Sequence, residues 1–188
     1  MQNFLEVATL ARYPQLSFHG EEHERSLNQG YFPQNAERSV HVDPINGTFL
    51  HKNQRPGWDI IVSIAERRRL MAAISYIPAR GCYHLALRGR FACFDIVHDD
   101  DPARGLDNLN ELYTGRLAAF ACRGGECLDW GAAAFIATAV GGVASHLDGS
   151  PLEFFENFDP WLETDMLVAT DPATHAAIVD RLRAPDQA

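Results

Sequence analysis

The alternation of apolar and polar positions predicts a helix followed by a group of strands in the first half of the chain. Apolar residues recur at near-helical spacing from Phe4 onward and stop before Pro14, which indicates a helix. Four apolar runs then follow with short polar breaks, a spacing that predicts an antiparallel meander with a candidate fourth strand. The runs are 58–65, 70–77, 82–87 and 91–97.

The second half of the chain predicts a helix that packs closely on a sheet. From Asp129, small apolar side chains recur with the period of one helical face. The segment 166–169 predicts a strand, and Asp171 followed by proline marks the start of a terminal helix. An Asp-Gly pair predicts a hairpin turn between strands at 143–147 and 152–155.

Composition and charge restrict the class of protein. The chain has 188 residues, of which 46% are hydrophobic and 22% charged, and this balance predicts one globular domain over 1–188. A formal net charge of −9 argues against nucleic acid and anionic membranes as partners, because both require clustered Lys and Arg. The acidic run at 98–101 is interpreted as a solvated loop, because no calcium-loop spacing follows it.

Cysteine usage and the amino-terminal sequence indicate the compartment. The four cysteines form no Cys-x-x-Cys pair, so we expect buried free thiols in a reducing environment. Glu6 interrupts the early apolar residues, so the pattern of a secretory signal is not met. The uncharged stretch 130–145 is too short and too rich in glycine for a membrane span. We therefore predict a cytoplasmic protein.

The sequence Val-Asp-Pro-Ile-Asn-Gly-Thr at 42–48 carries the most distinctive chemistry. A short strand that begins at Ser39 ends at Pro44, which has no N–H to donate. The Asn-Gly pair tolerates a positive φ and lets the backbone turn sharply. A carboxylate, an amide oxygen and a hydroxyl are thereby presented together, and hard divalent cations prefer such oxygen donors. A plain turn is the competing interpretation of this segment alone.

Two further motifs give this segment a context. Gly-Glu-Glu at 20–22 precedes it, and Asp129 follows it at the mouth of the small-residue helix, ahead of a Gly-Gly pair at 141–142. In this order, from about Phe18 to the carboxyl terminus, the three pieces resemble the inositol monophosphatase family of magnesium-dependent phosphatases. The resemblance implies an α+β fold, a layered α/β sandwich of the inositol monophosphatase and fructose-bisphosphatase type. The family's N-terminal helices and part of its second sheet layer are expected to be missing here, as in an N-terminally truncated, divergent member.

The resemblance also implies a site for two metal ions, with Mg²⁺ expected and Mn²⁺ as the alternative. One ion would be held by Glu21, Asp43 and the Ile45 carbonyl. The second would be held by Asp43, Asn46 and Asp129. Magnesium suits such a site because it binds through a few carboxylates together with a substrate phosphate.

The same resemblance assigns roles in phosphate-ester hydrolysis. Thr48 would orient the attacking water, and Glu21 and Asp43 would complete the catalytic set. The backbone N–H groups of Gly47 and Thr48 would contact the substrate phosphate, as turn N–H groups commonly do.

Three departures from the family pattern weaken the expected activity. Asn46 stands where the family has Asp, so the second ion loses one negative charge, and an Asn46→Asp change is expected to strengthen its binding. Cys122 aligns with an acid that several inositol-selective members use, so selectivity for inositol is not implied. The acid that the family carries on an early helix has no counterpart in this sequence.

Two functions follow from these observations. The first is a weak magnesium-dependent phosphatase that acts on a small phosphorylated metabolite. The alternative is a catalytically impaired relative that binds a phosphorylated ligand or a protein partner on the same scaffold. A homodimer is also expected, because losing the N-terminal helices would expose apolar surface, and large exposed apolar patches usually mark interfaces.

Overall fold

The first half of the chain forms a six-stranded sheet in a computed structural model, which describes residues 1–22, 26–88, 90–94, 109–113 and 115–183. Strands β1 and β2 are parallel, and every later neighbour in this sheet is antiparallel. The predicted meander is therefore confirmed. The strands are β1 (Ser17–Gly20), β2 (Arg38–Asn46), β3 (Asp59–Glu66), β4 (Arg69–Ile77), β5 (Cys82–Leu87) and β6 (Arg90–Phe94).

Helix α1 (Gln2–Arg12) covers the outer face of this sheet at β1 and β2. Leu5 and Leu10 pack against a small cluster that includes Val42, which confirms the helix predicted from apolar spacing. The helix nevertheless turns some polar positions inward and some apolar positions outward. Glu6 is fully buried, whereas Phe4 is 72% exposed. The buried polar side chains of this helix support the turn that carries Glu21, as described below.

Helix α3 (Cys127–Ala139) lies between the first sheet and a second, three-stranded sheet. Its small side chains allow close approach, so α3 forms most of the main core together with inner-face residues such as Ile61. The helix begins two residues before Asp129, because the N–H groups of Cys127 and Leu128 donate to backbone carbonyls of the segment 160–162, at 2.9 and 2.8 Å. Asp129 therefore lies in the first turn rather than at the cap.

The second sheet has the order β7-β9-β8, with strands β7 (Ala119–Glu126), β8 (Val143–Ser145) and β9 (Glu163–Ala169). Helix α4 (Pro172–Arg183) follows β9, and its first N–H groups are capped by Asp171 as predicted. This arrangement of helices and two sheets confirms the predicted α+β layered sandwich, with a small second sheet.

The hairpin predicted between 143–147 and 152–155 is wrong. Strand β8 pairs with β9, and the segment 152–155 is not a strand. The turn before it is closed by a bridge from Ser145 to Pro151 and by the His146 N–H, which donates to the Ser150 carbonyl at 2.9 Å. The aromatic side chains Phe154 and Phe158 are the reason, because they are buried in the main core and draw this segment away from strand pairing.

Short helical turns complete the described fold. They are the helix α2 (Thr48–Lys52) and 3-10 turns at Gln29–Tyr31 and Leu109–Leu112. The end of the candidate strand 91–97 and the acidic run 98–101 lie outside the described residues. Across the described ranges, the model contains no helix with the length and apolar character needed to cross a membrane.

Candidate active site

The end of strand β2 presents the central carboxylate of the site. Asp43 lies on the inner face and is only 2% exposed. The pairing with β3 shifts register between Asp43 and Asn46, so the strand bends where the motif predicts a turn. The Ile45 N–H donates to Asp43 Oδ1 at 2.8 Å. Gly47 then adopts φ 86°, a left-handed conformation that glycine enters without strain.

Helix α2 starts directly after this turn and places the hydroxyl of Thr48 beside the strand end. Thr48 Oγ1 donates to the Ile45 carbonyl at 3.2 Å. A carbonyl oxygen has two lone pairs, so the Ile45 oxygen can accept this bond and still offer a donor pair to a cation. The structure therefore groups Ile45, Gly47 and Thr48 within one turn.

Glu21 reaches the site from the parallel neighbour β1. The Glu21 N–H donates to the Val42 carbonyl at 3.0 Å, which extends the strand pairing and sets Glu21 alongside Asp43. Helix α1 fixes this turn, because Gln2 Oε1 accepts the Glu22 N–H at 2.9 Å. A Cβ on Gly20 would lie 2.3 Å from Gln2 Cδ, so any other residue here would displace the Gln2 amide from the Glu22 N–H.

Glu6 anchors the inward side of α1 beneath this turn. Its carboxylate accepts hydrogen bonds from Gln2 Nε2 and Asn28 Nδ2, each at 3.0 Å. Sequence analysis missed this pair of inward-facing residues, since the apolar spacing alone gives no reason to bury Gln2 and Glu6. Their role here is to hold the Gly-Glu-Glu turn.

Asp129 completes a group of three carboxylates from β1, β2 and α3. Burial raises the pKa of Asp43, and a hydrogen bond with Glu21 and the charges of Asp129 and Glu21 raise it further. Burial and the charges of Glu21 and Glu126 likewise raise the pKa of Asp129. Asp129 Oδ1 is buried with no hydrogen-bond partner among the described residues. The three carboxylates repel one another unless protons or a cation lie among them.

A fourth carboxylate, which sequence analysis missed, lies behind Asn46. Asp59 is 1% exposed, and its Oδ1 accepts a hydrogen bond from Asn46 Nδ2 at 2.8 Å. The Ser75 hydroxyl donates to the other oxygen. Burial raises the pKa of Asp59 to about 6, although the Ser75 and Asn46 hydrogen bonds act in the opposite direction. The available signal was an isolated acid inside the apolar run 58–65, where a charge requires a partner.

Two histidines precede Glu21 and Asp43 by two residues each. His19 and His41 are register partners, and their rings stack with centroids 4.8 Å apart. His41 is 4% exposed, its Nε2 lies 2.7 Å from Ser39 Oγ, and burial lowers its pKa to about 3. The pair borders a cavity of about 340 Å³ whose lining includes none of Glu21, Asp43 and Asp129.

Comparison with solved structures identifies the fold. No protein-family model and no curated protein sequence matches the chain. Inositol monophosphatase II from Staphylococcus aureus superposes with a TM-score of 0.71 at 19% identity, covering 97% of this chain and 80% of that one. A dual-specific inositol monophosphatase/NADP phosphatase bound with D-inositol-1-phosphate gives 0.74 at 14% identity, covering 98% and 82%. An inositol monophosphatase/NADP phosphatase complexed with Mg²⁺ and phosphate gives 0.72 at 15% identity, covering 98% and 80%.

These similarities cover nearly the whole chain. At such low sequence identities they are evidence of the fold alone. The chain therefore has the inositol monophosphatase fold, as the three sequence motifs predicted.

The donor set was tested for its fit to a divalent cation. In the described ranges, no group of three or more His, Cys, Asp or Glu side chains has an arrangement that could hold a metal ion. The chemistry nevertheless fits a hard cation, because Asp129 Oδ1 is buried without a partner and the pKa values of Asp43 and Asp129 are both raised by neighbouring acids. A cation among the three carboxylates would relieve that repulsion.

Proposed function

We propose that the protein is a magnesium-dependent phosphomonoester hydrolase that acts weakly on a small phosphorylated metabolite. The observation that carries the proposal is the meeting of Glu21, Asp43 and Asp129 from three separate elements, in a fold shared with inositol phosphatases. Mn²⁺ is an alternative to Mg²⁺, since both are hard cations that carboxylates bind. The cytoplasmic location inferred from the sequence stays a prediction.

The proposed ligands are the carboxylates of Glu21, Asp43 and Asp129, the Ile45 carbonyl and the Asn46 amide oxygen. When bound, divalent cations neutralise the charge of a phosphate ester and lower the pKa of a bound water. The chain's own contribution is to hold these oxygens on rigid elements. Asp43 is fixed by the Ile45 N–H, and the turn carrying Glu21 is fixed by Gln2.

Thr48 and Gly47 are proposed to receive the phosphate. Their N–H groups belong to the turn that Gly47 makes possible at φ 86°, and such turns bind phosphate oxygens. The Thr48 hydroxyl donates to the Ile45 carbonyl, so its oxygen lone pairs can accept a hydrogen bond from a water. Thr48 would in this way orient the attacking water.

The proposal is tested by phosphate release from a panel of sugar, inositol and nucleotide monophosphates, with Mg²⁺ and with EDTA. We expect release that requires Mg²⁺ and falls to background in Asp43→Asn. Asp180→Asn is the matched control, because Asp180 is an exposed carboxylate on α4 and the change removes the same charge. Release that persists in EDTA, or in Asp43→Asn, would contradict the proposal.

A second candidate is a non-catalytic relative that binds a phosphorylated ligand or a protein partner. One observation favours it: position 46 offers a neutral amide, and that amide is hydrogen-bonded to Asp59. In this case calorimetry would detect a phosphorylated ligand in the presence of Mg²⁺, while no substrate on the panel would be hydrolysed.

We also propose that the protein is a homodimer. The outward face of α1 exposes Phe4 and Val7, at 72% and 55%, and apolar side chains on one helix face favour association. Light scattering is expected to give twice the mass of the chain, and Phe4→Ser/Val7→Ser to reduce it. A monomer across a wide range of concentration would refute this proposal.

A further inference from the structure

Asp59 has no place in the ligand set proposed above, yet it is buried, charged and directly bonded to a proposed ligand. It lies on β3, opposite Asn46 of β2 in the strand register. Both of its oxygens are engaged, one by Asn46 Nδ2 at 2.8 Å and the other by the Ser75 hydroxyl. A buried carboxylate held at both ends is a fixed charge and cannot move away from its partners.

The chemistry of this contact fixes the orientation of Asn46. A carboxylate only accepts hydrogen bonds, so the NH₂ end of the amide must face Asp59. The opposite orientation would bring two oxygens together, so the usual ambiguity between the two ends of an amide does not arise here. The Asn46 oxygen is therefore the end directed away from Asp59, at the strand end that carries Asp43.

The charge of Asp59 also acts on the carboxylate group. It is one of the charges that raise the pKa of Asp129, which places it within electrostatic reach of the α3 ligand. The negative charge that Asn46 lacks is thus present on its hydrogen-bond partner, Asp59. A hydrogen bond from an amide N–H to a carboxylate also polarises the amide and makes its oxygen a better donor.

We propose that Asp59 is a positioning residue that makes Asn46 act as a metal ligand, so that the pair does the work of one carboxylate. Asn46 supplies the oxygen, and Asp59 supplies the charge and the orientation. The inference rests on the proposed metal site, and it extends that site to a residue on β3.

The proposal changes the outcome expected for Asn46→Asp. In that variant, two carboxylates would face each other across a contact that is now 2.8 Å long, and their repulsion would offset the gain from the added charge. A second change, Asp59→Asn, would relieve this repulsion. The pair would again consist of one carboxylate and one amide, with the carboxylate now at position 46 and the amide at position 59.

The test is a double-mutant cycle in which Mg²⁺ alone is titrated by calorimetry into the full chain. Asp59→Asn is expected to weaken Mg²⁺ binding about tenfold, because outer-shell partners of metal ligands have effects of that size. In the Asn46→Asp background, the same Asp59→Asn change is expected to strengthen binding and to restore at least the wild-type affinity. The sign reversal identifies direct pairing, since sites that act independently give additive effects.

Three controls accompany the cycle. Asp180→Asn removes one exposed charge and is expected to leave Mg²⁺ affinity unchanged. Thermal unfolding in EDTA checks that each variant folds, independently of metal. Peptide mass mapping verifies position 46, because an Asn-Gly pair is prone to deamidation and would otherwise create the acid unintentionally.

Each outcome decides the question. Unchanged affinity in Asp59→Asn would show that Asp59 only stabilises the fold, and an equal weakening in both backgrounds would show that it acts only as a distant charge. Either result overturns the inference and leaves the phosphatase proposal standing. The sign reversal without phosphate release supports the inference and counts against the phosphatase. A wild-type chain that binds no Mg²⁺ removes the inference together with the metal site.

Discussion

Two polar clusters lie on the same face of strands β1 and β2, and burial disfavours their charged forms with opposite consequences for pKa. In the first cluster, the rings of His19 and His41 stack, and the Ser39 hydroxyl forms a hydrogen bond with the buried His41 ring. Two residues further along each strand, Glu21 and Asp43 face Asp129. Burial disfavours charge in both places, so it lowers the pKa of His41 and raises that of Asp43.

The difference lies in the pH at which each cluster becomes charged. His41, with its pKa lowered to about 3, is uncharged at neutral pH and needs no counter-charge, although its buried Nδ1 has no hydrogen-bond partner among the described residues. The pKa values of Asp43 and Asp129 are raised, so these two groups ionise at a higher pH than ordinary carboxyl groups, and once ionised they require a counter-charge. We infer that the histidine cluster is structural and that the carboxylate cluster is a binding site.

The largest expected effect comes from removing the central carboxylate. Asp43→Asn is expected to weaken Mg²⁺ binding by about a hundredfold or more, beyond the effect of outer-shell changes. The same variant should be more stable than wild type in EDTA at pH 8, because an amide neither has to take up a proton on folding nor buries a charge beside Glu21 and Asp129. Calorimetry and urea unfolding measure the two effects. Wild-type stability and Mg²⁺ affinity in this variant would remove the distinction between the clusters.

The pH dependence of stability without metal is the next effect. The pKa of Asp43 is raised above its ordinary value of 3.8, so above that pH the folded state holds more protons than the unfolded state. Stability in EDTA should therefore fall as the pH rises, most clearly above about pH 7.5, where the histidines of the unfolded chain, with an ordinary pKa of about 6.5, are largely deprotonated. Saturating Mg²⁺ should remove this decline. Urea unfolding from pH 6.5 to 8.5 measures it, and a slope that Mg²⁺ does not alter would argue against a cation at the carboxylates.

The smallest effect on Mg²⁺ binding is expected from the histidine cluster. The pKa of His41 falls from 6.5 in the unfolded chain to about 3 in the fold, so stability should decrease as the pH drops through this window. His41→Phe keeps a stacking ring without a titrating group, and it should flatten the acid limb while leaving Mg²⁺ affinity unchanged. His51→Gln, at an exposed position on α2, is the control. A loss of Mg²⁺ binding in His41→Phe would show that the two clusters form one site.

The sequence predicted the fold well because local pattern and tertiary structure agree over most elements. The small-residue face after Asp129 is the helix between the sheets, and the apolar runs from 58 to 87 are adjacent hairpin strands. The prediction of a hairpin at 143–155 was wrong because burial of Phe154 competes with strand pairing. A local sequence pattern gives no information about that burial.

Only the part of the site that belongs to sequence motifs could be predicted. The model places Glu21, Asp43 and Asp129 near one another, and their roles stay predictions. Asp59 was missed because it has no motif, and its importance depends on the strand register that sets it opposite Asn46. Gln2 and Glu6 were missed for a similar reason, since their inward orientation depends on the turn that they support.

The single parallel strand pair in the first sheet has a consequence for the order of folding. Strands β2 to β6 join only sequence neighbours and can form by successive hairpins, whereas β1 is parallel to β2 and α3 follows all six strands in the chain. The carboxylates of Glu21 and Asp129 are therefore brought to Asp43 late, by the contacts that close over the longest loops. We therefore expect a ligand that ties these elements together to slow unfolding and to leave the refolding rate nearly unchanged, because contacts that form late are absent from the folding transition state.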